Sequence, residues 1–310
     1  MNLAAGLTPA WQQILVFDEF RIGEVNRARD SRWCASGKVI NAGIALHRLG
    51  GASRTIALAG GLPRGAIERE LADLGVPARI VPSSATTRVC TTILDRSGGN
   101  LSMTELVENA RPMGPGEYEE FLRAYTEEAA DAKAAVLTGS LPAGTPARFY
   151  RELLERTAGK AVVDARGEEL LLALELEPFL VKPNREELGR TVGRTIGSEG
   201  DLIDAAGELH RRGAWWCAIS AGKDPLVVTS REGARYRLRP PRVPAANPIG
   251  CGDCLAAGIA WGLGEGRDVI DAVRLGMGAA AQNVQDLLPS RLDLPSVEAL
   301  AREVEVERLG

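Results

Sequence analysis

The sequence is poor in the residue types that mark membrane, metal-binding and disulfide-rich proteins. Histidine occurs 2 times and cysteine 5 times in 310 residues, and aromatic residues make up 5%. Its apolar runs fall short of the roughly 18 residues that a membrane-spanning helix needs. The stretch "MNLAAGLTPAWQQ" lacks the basic region and hydrophobic core of a secretory signal. We therefore expect a cytoplasmic protein.

Charge and size indicate which partners the protein binds and how many domains it has. The net charge of −4 disfavours nucleic acid and acidic membrane surfaces as main partners. An apolar content of 45% and a charged content of 25% are typical of a globular protein. A chain of 310 residues is long enough for one large domain with a small one attached.

The cysteines are odd in number, which indicates reduced thiols rather than a disulfide framework. Cys251 and Cys254 have the C-x-x-C spacing of a redox pair or of half a zinc site. A zinc site would need a second pair or nearby histidines, and the only histidines are His47 and His210. Metal or redox chemistry is therefore the less favoured interpretation.

From about residue 35 onward, short apolar runs alternate with helical patterns. "RTIALAGG", "ARIVP", "DAKAAVLTGS", "GKAVVDAR", "EPFLVKPN" and "AWWCAIS" read as strands, and segments such as "KVINAGIALHRLGG" and "EGDLIDAAGELHRRG" read as helices. This alternation predicts a parallel sheet covered on both faces. Ligands of such sheets bind beyond the carboxyl ends of the strands. The polar segments "TGS", "DARGE", "KPNREE" and "SAGKD" are therefore the places to expect a site.

Two segments interrupt the alternation. Residues 12–34 and 86–106 read as hairpins, the second with the pair Gly98–Gly99 between two alternating runs. Together they predict a small sheet apart from a large domain made of residues 1–11, 35–85 and 107–310. The terminal stretch "VEALAREVEVERLG" predicts a solvated helix.

The stretch "NPIGCGDCLAAGIAWGL" places Asp253 at the start of an apolar helix. A short acidic residue there can serve as a cap that suits the helix dipole. The turn formed by Gly250, Cys251 and Gly252 can alternatively bind an anion through backbone N–H groups. A carboxylate beside a bound phosphate could then accept a proton from an attacking hydroxyl. Neither a P-loop nor a convincing dinucleotide motif occurs, and the residues alone leave both interpretations open.

Further short motifs occur in order along the chain. They are "GKVIN" at 37–41, Thr87-Arg88, "TEL" at 104–106, "GSLPAGTP" at 139–146, "KPNREEL" at 182–188, "SAGKD" at 220–224 and "NPIGCGD" at 247–253. In this order they resemble the motifs of the PfkB/ribokinase-like carbohydrate kinases, and more narrowly the 1-phosphofructokinase and tagatose-6-phosphate kinase branch. The resemblance implies a ribokinase-like three-layer α/β sandwich with a mainly parallel central sheet and a small β-sheet lid.

The resemblance also implies the residues of an ATP-dependent, magnesium-requiring kinase. Asp253 would be the catalytic base, with Gly250, Cys251 and Gly252 as the anion hole. The residues implied to contact the nucleotide are Asn184, Glu187, Ser220, Gly222 and Asn283. Of these, Asn184 and Glu187 would hold magnesium through water, as suits an ion that keeps much of its hydration shell.

The substrate side is implied in the same way. The residues expected to line the sugar pocket are Gln12, Gly37, Lys38 and Asn41. Arg88, Arg27 and Ser140 would hold a phosphate already present on the sugar, although a solvated sheet face explains most arginines on strands. The lid would close over the sugar and mediate a homodimer.

Departures from the branch concern the substrate. Gln12 stands where the branch has an aspartate, Ser36 and Val39 stand where it has glycines, and Glu24 falls where a basic residue is sometimes found. We expect a phosphorylated ketohexose such as fructose 1-phosphate or tagatose 6-phosphate as substrate. The alternatives are a kinase of a free sugar, nucleoside or other small alcohol, and a non-catalytic sugar or nucleotide sensor.

Overall fold

The computed structural model describes residues 1–99 and 101–310. Its β-strands, in chain order, are β1 Asn2–Gly6, β2 Ala10–Phe17, β3 Asp30–Ser36, β4 Ser53–Ala59, β5 Ala78–Pro82, β6 Arg88–Asp95, β7 Ser102–Val107, β8 Ala134–Thr138, β9 Lys160–Asp164, β10 Leu180–Val181, β11 Trp216–Ala221, β12 Asp224–Ser230, β13 Arg235–Arg239 and β14 Glu305–Leu309.

The α-helices are α1 Lys38–Arg48, α2 Gly61–Asp73, α3 Glu117–Ala129, α4 Phe149–Leu154, α5 Gly167–Leu174, α6 Arg185–Val192, α7 Glu199–Arg211, α8 Cys251–Gly264, α9 Val269–Asn283 and α10 Leu294–Arg302. Within the described residues, none of them has both the length and the apolar character to cross a bilayer.

The main sheet has the strand order β14-β13-β12-β11-β10-β9-β8-β1-β4-β5. Seven neighbouring strands of this sheet run parallel, namely β11, β10, β9, β8, β1, β4 and β5. Strands β12, β13 and β14 continue the sheet in antiparallel fashion. The predicted mainly parallel sheet is therefore confirmed, and the parallel strands end at one common edge.

Helices cover both faces of this sheet because side chains alternate along each central strand. Leu3 and Leu137 belong to the core beneath α3, α4, α5 and α7, whereas Ala4 and Val136 belong to the core beneath α1, α8, α9 and α10. Burying a leucine or valine side chain contributes about 1.5–3 kcal/mol each. The result is the expected three-layer α/β sandwich.

Helix α8 is held deep in the second layer by a close contact with α9. A Cβ atom on Gly258 would lie 2.5 Å from the Cα atom of Gly276, so the backbones of the two helices touch where no side chain would fit. This approach fixes the axis of α8, and with it the position of its amino-terminal turn at the edge of the sheet.

A second sheet of order β3-β2-β6-β7 stands apart from the first. The pairs β2–β3 and β6–β7 are antiparallel and correspond to the two predicted hairpins, and β2 joins β6 in parallel. Residue 100, inside the second predicted hairpin, lies outside the described residues. The predicted small sheet is thus confirmed.

Two parts of the chain differ from the sequence prediction. Strand β1 lies between β4 and β8 near the centre of the main sheet, although the predicted alternation began only near residue 35. The terminal stretch was wrongly predicted as one helix, because α10 ends at Arg302 and Glu305–Leu309 pairs with β13 as an edge strand. Charged side chains suit an exposed edge strand as well as a solvated helix.

Candidate active site

A cavity of about 320 Å³ lies where the carboxyl ends of the parallel strands meet the start of α8, beneath the small sheet. The structure brings many of the predicted site residues together there. They are Gln12, Gly37, Lys38, Asn41, Arg88, Asn184, Glu187, Ser220, Gly250, Gly252 and Asp253.

The start of α8 presents Asp253 to this cavity. Gly250 precedes the helix with a φ of 81°, a left-handed conformation that favours glycine. Asp253 is 7% exposed, and Asn41 Nδ2 donates to its Oδ2 at 2.8 Å. Burial raises the pKa of Asp253 to about 6, although Lys38 and the Asn41 hydrogen bond act in the opposite direction. The carboxylate is therefore held by a side-chain amide and is a weaker acid than an exposed aspartate.

The turn before Asp253 is the predicted anion hole. The first N–H groups of a helix have no intrahelical partner and can therefore bind an anion. The Cys251 N–H is already occupied, because it donates to the Pro248 carbonyl at 3.3 Å. A Cβ atom on Gly252 would lie 3.8 Å from Lys182 Nζ. The helix start thus lies beside an ammonium group.

An ion cluster around the buried Asp164 forms another part of the cavity wall. Asp164, the last residue of β9, lies 3.5 Å from Lys182 Nζ and 3.3 Å from Lys38 Nζ, and Thr138 Oγ1 donates to it at 3.1 Å. Burial alone would raise the pKa of Asp164, but Lys182, Lys38 and these hydrogen bonds outweigh it and hold that pKa below its usual value.

Sequence reasoning missed both Asp164 and Lys182. Asp164 belongs to "DARGE", a segment expected at the sheet edge, but no role was inferred for it. No role was inferred for Lys182 either, although the residue is buried, with 3% of its surface exposed. The available signal was a charged residue directly after a fully apolar strand, which in a parallel sheet points to the ligand edge.

Asn184 and Glu187 form a capping box at the start of α6. Asn184 Oδ1 accepts from the Glu187 N–H at 2.8 Å, and Glu187 Oε2 accepts from the Asn184 N–H at 3.0 Å. Glu187 Oε1 lies 3.5 Å from Lys38 Nζ. A bridge between Asn184 and Ser220 places "KPN" beside "SAGKD".

A larger cleft of about 950 Å³ adjoins the cavity. Ser220, Gly222 and Cys251 line it, together with apolar residues such as Leu255 and Val284. Asn283, predicted near the nucleotide, lies behind this cleft. Its Nδ2 donates to the Ile249 carbonyl at 2.7 Å and its Oδ1 accepts from the Ser290 N–H at 2.6 Å, so it braces the turn before α8.

The residues predicted for a substrate phosphate do not all meet. Arg88 lines the cavity and donates to the Thr8 carbonyl at 3.2 Å. Ser140 is exposed and its hydroxyl lies 3.2 Å from that of Thr8. Arg27 is exposed in the connection between β2 and β3 and is not among the residues that line the cavity.

Two residues that depart from the motifs of the family branch, Gln12 and Val39, lie in different surroundings. Gln12 is buried and its Nε2 donates to Thr92 Oγ1 at 2.7 Å. Val39 lies in a hydrophobic cluster behind the cavity rather than in it. Glu105, for which sequence reasoning inferred no role, lines the cavity. Burial raises the pKa of Glu105, and Arg88 opposes that rise.

Comparison with known proteins agrees with this architecture. Phosphofructokinase-2 from Escherichia coli in its tetrameric inhibited form is 23% identical over 97% of this chain and 98% of that chain, with a TM-score of 0.86. The same protein in complex with fructose-6-phosphate is 24% identical over 97% of both chains, with a TM-score of 0.85. A possible 1-phosphofructokinase from Thermotoga maritima is 21% identical over 100% of this chain and 99% of that chain, with a TM-score of 0.88.

At these identities the neighbours show a shared fold, which is the ribokinase-like fold expected from the motifs. The family model for the pfkB family carbohydrate kinases matches residues 10–295, and therefore includes the small sheet, the cavity and the start of α8. The chain accordingly belongs to the pfkB family of carbohydrate kinases.

Proposed function

We propose that this sugar kinase transfers the terminal phosphoryl group of ATP to a hydroxyl of a phosphorylated ketohexose, with Asp253 as the proton acceptor. The observation that carries the proposal is the placement of Asp253. Its carboxylate is buried, is held by Asn41 at 2.8 Å, and adjoins a helix start that offers N–H groups. In the part of the chain that the structure describes, no backbone N–H donates to this carboxylate, which favours a proton acceptor over a cap.

The raised pKa suits this role. With a pKa of about 6, Asp253 is ionised at neutral pH and is a better proton acceptor than an ordinary aspartate, whose pKa is about 3.9. The proton of the attacking hydroxyl passes to Asp253 as the new oxygen–phosphorus bond forms and the bond to the leaving nucleotide breaks.

Positive charge near the helix start supports stabilisation of the migrating phosphoryl group. Lys182 Nζ lies 3.8 Å from the Cβ position of Gly252, and Lys38 lies on the other side of Asp164. Fixed cations and N–H groups in a cavity that excludes water stabilise developing charge without reorganisation. Asp164 holds both lysines in place.

Family membership implies ATP, and the larger cleft of about 950 Å³ beside the helix start can hold it. In the described residues no group of three or more acidic, histidine or cysteine side chains could hold a metal directly. Asn184 and Glu187 fit magnesium held mainly by phosphate oxygens and water. The bound ion would neutralise phosphate charge.

The substrate class rests on Arg88, the arginine that lines the sugar side of the cavity. A guanidinium there suits a phosphate already on the sugar. Gln12 and Glu105 provide further polar groups for hydroxyls. Since one structural neighbour was solved with fructose-6-phosphate, that sugar joins fructose 1-phosphate and tagatose 6-phosphate as a candidate.

The small sheet is proposed to act as a lid, residues 12–34 and 86–106, and as a dimer surface. Its edge strand β7 is exposed throughout, and Leu106 and Trp33 are exposed by 55% and 47%. Light scattering should find a dimer that Leu106→Lys converts to a monomer. A wild-type monomer would contradict the dimer proposal.

A coupled ADP-release assay tests the function. The panel contains fructose 1-phosphate, tagatose 6-phosphate, fructose 6-phosphate, free fructose and a nucleoside. We expect turnover of a phosphosugar, a loss of roughly 10²- to 10⁴-fold in Asp253→Asn, and little change in Asp271→Asn. Asp271 is a matched control because it lies in the first turn of α9 and is half-exposed.

The other outcomes distinguish the alternatives. Equal turnover of free fructose or of the nucleoside would contradict a phosphorylated substrate while leaving the kinase intact. Binding of nucleotide without any turnover would contradict the kinase and favour the sensor.

A further inference from the structure

Ser36 connects the small sheet to Asp253 through one amide. It is the last residue of β3, and its hydroxyl donates to Asn41 Oδ1 at 3.1 Å. Asn41 Nδ2 in turn donates to Asp253 Oδ2 at 2.8 Å. Ser36 and Asn41 are 1% and 2% exposed, so water has little access to either contact.

The direction of this chain of hydrogen bonds follows from chemistry. An ionised carboxylate only accepts hydrogen bonds, so Asn41 has to turn its NH₂ group toward Asp253. Its carbonyl oxygen then faces Ser36, and Ser36 has to donate. The reversed amide would place two oxygens against each other at the carboxylate. The Ser36 hydroxyl therefore favours the amide orientation in which Asp253 receives a donor.

The other charged groups around Asp253 lie on different elements. Lys38 begins α1, Asp164 ends β9 and Lys182 follows β10, and all three act on the Asp253 carboxyl through charge. The Cys251 and Cys254 thiols belong to α8, and burial raises the pKa of each, so both are neutral at physiological pH. Ser36 forms no hydrogen bond with any of these groups in the described residues, so its substitution leaves their charges in place.

We propose that Ser36 is a positioning residue, which fixes the Asn41 amide and through it holds the Asp253 carboxylate ready for proton transfer. Removing the hydroxyl leaves the Asn41 carbonyl oxygen buried without its donor and allows the amide to turn. Asp253 then loses a hydrogen bond that stabilises its ionised form. The proposal rests on the proposed role of Asp253 as proton acceptor.

The test compares wild type, Ser36→Ala, Ser36→Thr and the control Ser53→Ala by the pH dependence of kcat/KM from pH 5 to 9. Ser53 is a buried serine at the amino-terminal end of β4, away from the cavity. Its hydroxyl has no hydrogen-bond partner in the described residues. At low pH kcat/KM falls as the proton acceptor becomes protonated, and this acid limb of the profile has an apparent pKa. In Ser36→Ala we expect that apparent pKa to rise by roughly 0.5–1 pH unit and activity at pH 7 to fall about 3- to 10-fold. Ser36→Thr should restore both, and Ser53→Ala should change neither.

The ionisation of the substrate phosphate also contributes to the acid limb, but it is the same for every variant, so differences between variants report the protein. A uniform loss of rate with an unmoved limb would overturn the proposal, as would an unchanged profile. If Ser36→Ala does not fold, Ser36→Cys, with a similar size and a weaker donor, should move the limb in the same direction, and an unmoved limb would again overturn it.

Titration of the Asp253 carboxyl by ¹³C NMR, without substrate, separates this inference from the proposed function. If no sugar turns over, the proposed function fails, while a higher Asp253 midpoint in Ser36→Ala than in wild type still supports the positioning role. An identical midpoint in both proteins would overturn that role.

Discussion

Two buried aspartates line the same cavity, and their pKa values are shifted in opposite directions. Asp253, at the start of α8, has one amide donor, and burial raises its pKa to about 6. At Asp164, at the end of β9, burial acts in the same direction, but Lys182, Lys38 and a threonine hydroxyl outweigh it and lower the pKa.

The difference in pKa supports two different proposed roles for aspartates at the same edge of the sheet. A carboxylate between two lysines keeps its charge and holds the two ammonium groups in place, but it is a poor proton acceptor. A carboxylate with a single neutral donor keeps its charge at neutral pH and can still take a proton. On this account Asp164 organises the cations and Asp253 performs the proton transfer.

The largest effect on stability is expected for Asp164→Asn. It leaves the buried Lys182 and the partly exposed Lys38 without this carboxylate, and we expect a loss of about 3–5 kcal/mol in the free energy of unfolding. Because the folded pKa of Asp164 is lowered, this contribution is complete above the unfolded pKa of about 3.9 and is lost as the pH falls through the lower folded value. Urea unfolding at pH 7 measures the loss.

A double variant checks the cause of that loss. Adding Lys182→Met removes one unpaired cation, so Asp164→Asn with Lys182→Met should lose less stability than the sum of the single variants. Strict additivity would contradict a buried ion pair.

A smaller effect is expected for Lys182→Met, this time on catalysis. Removing the ammonium beside Gly252 should lower kcat roughly 10²-fold, the order found when one stabilising donor is lost. The KM for the sugar should change little, because the proposed role is in the transition state. Steady-state kinetics measure both, with Lys160→Met at the opposite end of β9 as the control. A raised KM at unchanged kcat would instead place Lys182 in substrate binding.

The smallest of these effects is a gain in stability in Asp253→Asn. The folded protein holds a proton on Asp253 up to about pH 6, whereas the unfolded chain releases it near pH 3.9. The buried charge therefore destabilises the folded protein above pH 6. The neutral variant should be about 1–3 kcal/mol more stable at pH 8, and the gain should shrink as the pH falls from 6 toward 4. An inactive variant of unchanged stability at both pH values would contradict the raised pKa.

Much of the fold could be predicted from the sequence because strands and helices alternate with clear periods after residue 35. Strand β1 escaped because "NLAAG" is made largely of alanine and glycine and has no β-branched residue, so its strand propensity is weak. The terminal strand Glu305–Leu309 escaped for a different reason, since its charged residues look the same on an exposed edge and on a helix surface.

Site residues that belong to short motifs could be predicted from the sequence. Contacts between residues from distant segments could not. Asp253 and Asn41 come from recognisable motifs, but their hydrogen bond joins residues 212 positions apart. Lys182 follows a fully apolar strand, which indicates the ligand edge of the sheet, but its ion pair with Asp164 joins segments that only the fold brings together. Arg27, which the resemblance places at the substrate phosphate, lies in the exposed connection between β2 and β3, and its role stays a prediction.

The most direct test of the account is a ¹³C NMR titration of both aspartates in the substrate-free protein, with Asp253→Asn and Asp164→Asn to assign the two carboxyl signals. We predict a midpoint near pH 6 for Asp253 and a midpoint below that of an ordinary aspartate for Asp164. Equal midpoints, or a lower midpoint for Asp253 than for Asp164, would contradict the division of roles between them.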